Sequence, residues 1–361
     1  MLFLCVGLPG RLAEWCDLAA AHLARRLSGP VISRSWPSPA EMFGYEGLSS
    51  TLEHIAVSFI ETGAAHVVLG ARQPDEKLYA ALGETGARFV LALDDPRMAV
   101  ADMLAAPVAE PKQIARAVAN SCALVTRYAA LPGALRINPA QCWTDARATL
   151  AAMADHFGIG LGGSDIEAIL ANLPAMDASA ERRQWAADIP EALRKMIDGA
   201  LAGYAQAFAD AGLDRIVWTR ELFYLVTDAG KSPTEPLDAA GGSRILIYGP
   251  YIHLPSGSWN AQIVLGFSPE AAGYAFTVDV YSDGVLAAAT FQPDRAGVYT
   301  SDLSFSLNEA RPQGVEVRVT VASNDAKGHV AFGQVVLRPL AVRHAADVGT
   351  AESDFLTVLE L

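Results

Sequence analysis

The chain has 361 residues, 52% of them hydrophobic and 19% charged, which excludes a disordered polymer and leaves length for two domains with substantial cores. Its net charge of −13 excludes a general polyanion binder, so no nucleic-acid partner is expected. No apolar run reaches the length of a membrane span, and the first residues lack the basic region of a signal peptide. The four cysteines, Cys5, Cys16, Cys122 and Cys142, form no CxxC, and the seven histidines show no HExxH. The expectation is a cytoplasmic protein with reduced thiols, no membrane insertion and no metal site.

In chain order, the apolar run Leu2 to Val6 enters a turn at Gly7, Pro9 and Gly10. Trp15, Ala19, Leu23 and Leu27 then recur four apart on one helical face. Strand, tight turn and helix are the layout of a phosphate loop, in which backbone N–H groups and the helix start hold an anion. The plain alternative is a strand–helix corner with a purely structural role. Ser50-Thr51-Leu52-Glu53 reads as a capping box opening a helix through Ile60. The strand-like run His66 to Leu69, a helix around Asp75 to Leu82 and the apolar run Arg88 to Leu93 follow. A helix from Lys112 to Ala129, a strand at Leu135 to Ile137 and a helix from Thr144 to Phe157 continue the alternation. Apolar strands spaced by helices predict a parallel sheet buried on both faces.

Pro9-Gly10-Arg11-Leu12-Ala13-Glu14-Trp15 resembles the first phosphate loop of the sulfotransferase family, approximately PKSGTTW. His66 to Arg72 resembles the family's buried strand before its middle loop. Leu93-Asp94-Asp95-Pro96-Arg97 is similar to its RxPR motif, and Thr144 to Leu161 to its late helix ending in FLGIPL. The resemblance spans residues 1–170 and implies a P-loop-like α/β fold. It also implies that the phosphate chemistry is degenerate, so that no cofactor is bound. The lysine position holds Gly10, the inner glycine Leu12 and the hydroxyl positions Ala13 and Glu14. In the second motif the arginine position holds Asp94 and the serine position Asp102. An anion in place of a cation reverses the sign of the interaction with phosphate. Leu12 is expected to fill the phosphate space or join the core, and Glu14 to meet the free N–H groups of the helix start. The basic residues left to hold an anion are Arg11, Arg72 and Arg97. Asp94, Asp95 and Asp102 also admit a weaker reading as metal-facing carboxylates.

Ser164-Asp165-Ile166-Glu167 reads as a further capping box, and Leu193, Ile197, Leu201, Tyr204 and Phe208 form one helical face that stops near Gly212. Val217 to Val226 fits helix or strand. Residues 163–230 are expected as a helical extension of the α/β domain (1–162), and the Pro- and Gly-bearing residues 231–243 as a linker. From residue 244 to 340 the period becomes two, as in Trp259, Ala261, Ile263, Leu265 and Phe267, or Val315, Val317, Val319 and Val321. About seven short strands separated by turns predict an antiparallel β-sandwich of jelly-roll or immunoglobulin-like type. Tyr248 to Pro255, YGPYIHLP, resembles the opening of carbohydrate-binding-like modules attached to bacterial polysaccharide enzymes.

Sugar C–H faces pack on exposed aromatic rings, so Tyr251, His253, Trp259, Tyr281 and Tyr299 are the carbohydrate-binding candidates. Tyr251 is preferred, and Trp259 shares the register of core residues. The tail, 341–361, carries Phe355, Val358 and Leu359 at helical spacing and is expected to dock within the molecule. The functional expectation is a non-catalytic scaffold or recognition protein in bacterial cell-surface polysaccharide production, with a glycan or a polysaccharide-synthesis protein as partner. Two alternatives stand beside it. One is an active group transferase in which Arg11, Arg72 and Arg97 converge on an anion with His54 or Glu53 as base. The other is a plain glycan-binding protein.

Overall fold

The structure is a computed structural model that describes residues 1–35, 65–72, 74–104, 110–175, 189–228, 230–308, 314–340 and 356–359, without the side chains of residues 102 and 356–359. The helix expected from Ser50 lies outside the described residues. The chain divides into two compact units. One comprises residues 1–108, 121–190 and 204–212; the other comprises 109–120, 191–203 and 213–361.

The first unit holds a parallel sheet. Its strands are β1 (Leu2–Gly7), β2 (Val31–Ser35), β3 (His66–Ala71), β4 (Phe89–Ala92) and β5 (Ala134–Ile137), in the order β2-β3-β1-β4-β5. Phe3, Leu4, Cys5 and Val6 in β1 and all four residues of β4 are at most 1% exposed. A strand covered on both faces reads as a continuous apolar run for that reason. Helix α1 (Arg11–Ala24) lays Leu12, Trp15, Cys16, Ala19, Ala20 and Leu23 into the core; its alanines leave room for the sheet to approach. The connection after β1 runs through α1 to β2 on one side of it, and the connection after β3 runs past β1 to β4 on the other, so the carboxyl ends of β1, β3 and β4 lie at a topological switch point.

Helix α2 (Glu76–Thr85) is capped by Asp75, whose carboxylate accepts from Leu78 N at 2.8 Å, and ends at Gly86 with φ +61°. After α3 (Pro96–Leu104) and α4 (Pro111–Tyr128) comes a short helix not among the expected elements, α5 (Pro139–Thr144), and then the helix expected from Thr144 to Phe157, found as α6 (Ala146–Phe157). Asn138 and Asp145 each cap one of them, accepting from Gln141 N at 2.9 Å and Ala148 N at 2.8 Å. Helix α7 (Gly163–Leu170) starts ahead of the expected Ser164 cap: Asp165 reaches back to Gly162 N at 3.2 Å. The boundary between the units passes through α4 and through α8 (Glu191–Phe208).

The second unit is built on two antiparallel sheets. One runs β13-β12-β15-β9-β7 with β10 paired to β15; the other runs β17-β14-β11-β16-β6 with β8 paired to β16. The strands are β6 (Ile216–Thr219), β7 (Tyr224–Leu225), β8 (Leu237–Asp238), β9 (Arg244–Tyr248), β10 (Pro250–His253), β11 (Gly257–Phe267), β12 (Phe276–Tyr281), β13 (Val285–Phe291), β14 (Gly297–Leu307), β15 (Gly314–Val321), β16 (His329–Pro339) and β17 (Leu356–Leu359). In β11, residues 259, 261, 263, 265 and 267 are buried and the residues between them are not, as the alternation predicts. Phe267 of β11 meets Phe276 of β12 at 4.7 Å and Phe291 of β13 at 5.7 Å between ring centroids, joining the two sheets.

Two expected boundaries are corrected here. Residues 216–225 are not part of a helical extension: β6 pairs with β16 and β7 with β9. Residues 231–243 are not wholly a linker, since β8 pairs with the start of β16. The tail segment Leu356–Leu359 is a strand on the edge of β14 and not a helix.

Candidate functional site

The turn between β1 and α1, expected as a phosphate loop, lies at the carboxyl end of β1, beside that of β4. Gly10 has φ +154°, and a Cβ there would stand 2.5 Å from Asp94 Oδ2, so only glycine admits this approach. Asp94, two residues beyond β4, is 3% exposed. Its Oδ2 accepts from Leu12 N at 3.0 Å and its Oδ1 from Asp95 N at 2.9 Å. Leu12 N is one of the donors that a helix start leaves without an intrahelical acceptor, and these are the groups an anionic ligand would otherwise meet. A carboxylate of the chain itself stands there instead. The Leu12 side chain is fully buried in the core, as expected. Glu14 does not take the part assigned to it. It is exposed, and its N–H bonds Gly10 O at 3.1 Å in the first helical turn. The carboxylate at the helix start arrives from 82 residues away, a separation that no local motif encodes.

The arginines assigned to an anion are held as follows. Arg72, just past β3, donates to Ala13 O at 2.6 Å and pairs with Asp17 of α1. Asp17 is pushed up from the ordinary carboxylate range by burial, against the opposing pull of Arg72. A Cβ at Gly70 would stand 2.4 Å from Asp17 Oδ2, so that glycine makes room for the pair. Arg97 folds back on Asp95, with Nε 2.9 Å from Oδ1, at the start of α3. Arg11 is exposed at the first position of α1. Burial also drives the Cys5 and Cys16 thiols beneath the corner well up, and burial and Asp94 push Cys142 to about 12; these thiols stay protonated and are not nucleophiles. The Asp102 side chain and both Glu53 and His54 lie outside the described residues. No group of three or more metal-ligating side chains occurs among the described residues.

In the second unit the aromatic candidates separate. Trp259 is corrected: it is 1% exposed, with Nε1 donating to Pro255 O at 3.0 Å, and belongs to the core. Tyr299 is likewise buried, its hydroxyl 2.8 Å from Asp294 Oδ1. Tyr281 is half-buried beneath the Arg318 guanidinium, 4.1 Å from its ring centroid. His253 is half-buried; its backbone N–H donates to Asn120 Oδ1 at 2.8 Å, and burial lowers the pKa of its ring, favouring the neutral imidazole. Tyr251 alone of these is exposed, at 39%. It has φ +60°, a conformation costly for a bulky side chain.

Tyr251 stands at the end of an aromatic row that the sequence reading did not assemble. Tyr224 stacks on Tyr248 at 5.6 Å, and Tyr248 meets the Tyr251 ring edge-on at 6.0 Å. Lys112 Nζ lies 3.8 Å above the Tyr224 ring and donates to Phe223 O at 2.8 Å and Ser232 Oγ at 3.0 Å. Arg116, one helical turn further along α4, donates to the Tyr224 hydroxyl and lies 5.7 Å from the Tyr251 centroid. Burial, with Arg116 beside it, lowers Lys112 to about 8.

No family model matches the chain, and no curated protein matches it. Among solved structures, 58% of the chain is similar to 88% of a mouse sulfotransferase complexed with PAP, at 11% identity and TM-score 0.38. An arabinose-bound α-L-arabinofuranosidase is similar over 28% of this chain and 18% of its own, at 16% identity and TM-score 0.22. The VP2 subviral particle protein of infectious bursal disease virus is similar over 36% of this chain and 34% of its own, at 13% identity and TM-score 0.24. No helix among the described residues is long and apolar enough to cross a membrane.

Proposed function

We propose that the protein is a non-catalytic recognition protein: its sulfotransferase-like α/β unit closes its own phosphate position, and its antiparallel sheets carry the ligand surface. The observation that carries this reading is the hydrogen bond from Leu12 N to Asp94 Oδ2. A phosphate seated there would displace a carboxylate that satisfies two backbone N–H groups and would then face its charge. The pairing of Arg72 with Asp17 and of Arg97 with Asp95 supports the same reading, because each guanidinium already has a carboxylate. The saccharide half of the proposal is supported by the exposed Tyr251 ring, and its setting in polysaccharide production by the resemblance of residues 248–255 alone.

The test is a calorimetric titration with 3′-phosphoadenosine 5′-phosphate. No saturable heat is expected up to millimolar nucleotide. A dissociation constant in the micromolar range would overturn the non-catalytic reading.

A further inference from the structure

We propose that Arg116, Lys112 and Tyr251 form a binding site for an acidic saccharide, a pyranose bearing a carboxylate or a sulfate. The inference rests on the recognition reading above and deepens it by naming the ligand class.

Three observations on one face converge. The first is charge without a counter-charge. Lys112 and Arg116 lie four residues apart in the first two turns of α4, so like charges neighbour each other on one helical face. Of the two, Lys112 sits in the first turn, at the positive end of the helix dipole, where cations are disfavoured. Each is only half exposed, and neither has a carboxylate within 4.0 Å among the described residues. Their contacts are with neutral groups: a carbonyl, a serine hydroxyl, a tyrosine hydroxyl and tyrosine rings. In a chain of net charge −13, carboxylates are the commoner charged groups, and an unmatched pair of cations marks a place for an anion that the chain does not supply.

The second observation is an unspent donor. Arg116 Nε is buried and has no acceptor, while its Nη1 is engaged by Tyr224. Nε is closed to a ligand, but of the guanidinium's five N–H donors the described residues engage one, through Nη1, which leaves donor capacity on the terminal nitrogens for a planar or tetrahedral oxyanion. The third is the exposed ring of Tyr251, met edge-on by Tyr248. A ring fixed in this way offers an apolar face to sugar C–H groups at little cost in side-chain freedom. A neutral sugar would use the ring and leave the two cations unmatched; a small inorganic anion would use the cations and leave the ring bare. An acidic saccharide uses both.

The experiment titrates the full chain with three probes matched in length: an oligogalacturonate, a sulfated oligosaccharide and a neutral oligosaccharide. At least one acidic probe is expected to bind tenfold or more tightly than the neutral one, with affinity falling as salt is raised. Arg116→Gln and Tyr251→Ala are each expected to weaken that binding tenfold or more, their folding checked by denaturation midpoints. Tyr251 is exposed, so its variant keeps the test informative if Arg116→Gln fails to fold. Equal binding of neutral and acidic probes would overturn the acidic-saccharide inference while leaving saccharide recognition standing. Binding of none of the probes would overturn both. Unchanged acidic binding in the folded variants would overturn this location.

Discussion

A carboxylate at a helix start satisfies the same donors as a bound phosphate, and Asp94 does so from within the chain. Removing it leaves the Leu12 N–H buried without a partner, so Asp94→Ala is expected to lower stability by about 1–3 kcal/mol. Asp94→Asn keeps an acceptor oxygen and should lose less; urea denaturation of the two variants checks the order. Lys112 gives a second prediction at this scale. Its native pKa of about 8 lies below its ordinary 10.5. Between these values the unfolded chain holds a proton that the native chain has released, so stability rises with pH across that window. The difference in unfolding free energy between wild type and Lys112→Met should therefore shift in favour of the wild type as pH rises from about 8 to above 10. A flat difference would show that Lys112 titrates normally. Legibility in sequence divides here by separation. Leu12, Pro9 and Gly10 mark the corner locally, whereas Asp94 replaces Glu14 because the partner of Leu12 N is chosen by the neighbouring strand β4. The row Lys112, Tyr224, Tyr248 and Tyr251 brings together three distant segments, and only Tyr251, flanking a proline turn, is legible in the sequence.

Among the elements, those with a sustained period were readable. β1, β3 and β4 are continuous apolar runs, and β11 and β15 alternate over 11 and 8 residues, so pattern alone assigns them. The strands β6, β7 and β8 have 4, 2 and 2 residues, too few for a period to declare itself. Their state is decided by pairing with β16 and β9, which is tertiary context. The close packing of α8 on the entry to β6 makes this correction testable. A Cβ at Gly203 would stand 2.1 Å from Arg215 O, and one at Gly199 2.7 Å from Val217 O. On an isolated helix, Gly→Ala gains about 1 kcal/mol. Here Gly203→Ala is expected instead to cost about 1–3 kcal/mol through overpacking against backbone. A stabilised variant, measured by chemical denaturation, would contradict the placement of residues 215–219 against this helix.

At the scale of the whole molecule, the two units divide the work that the account assigns. The parallel sheet of the first leads from β1 into a helix start, the place where such sheets hold ligands, and there the Leu12 N–H is taken by Asp94. The antiparallel sheets of the second, together with the start of α4, present Tyr251 and two cations without carboxylate partners among the described residues. The net charge of −13 adds a long-range repulsion against anions that salt screens, so any anion held by the protein must be held by local contacts. Raising ionic strength should not create nucleotide binding in the first unit, since the obstacle there is a buried carboxylate and not the overall charge. The most direct measurement of the central claim is a crystal structure grown in, or soaked with, concentrated sulfate. The account predicts Asp94 Oδ2 within hydrogen-bond distance of Leu12 N and no anion on the backbone N–H groups of residues 10–14. A sulfate seated on those groups, with Asp94 turned away, would contradict it.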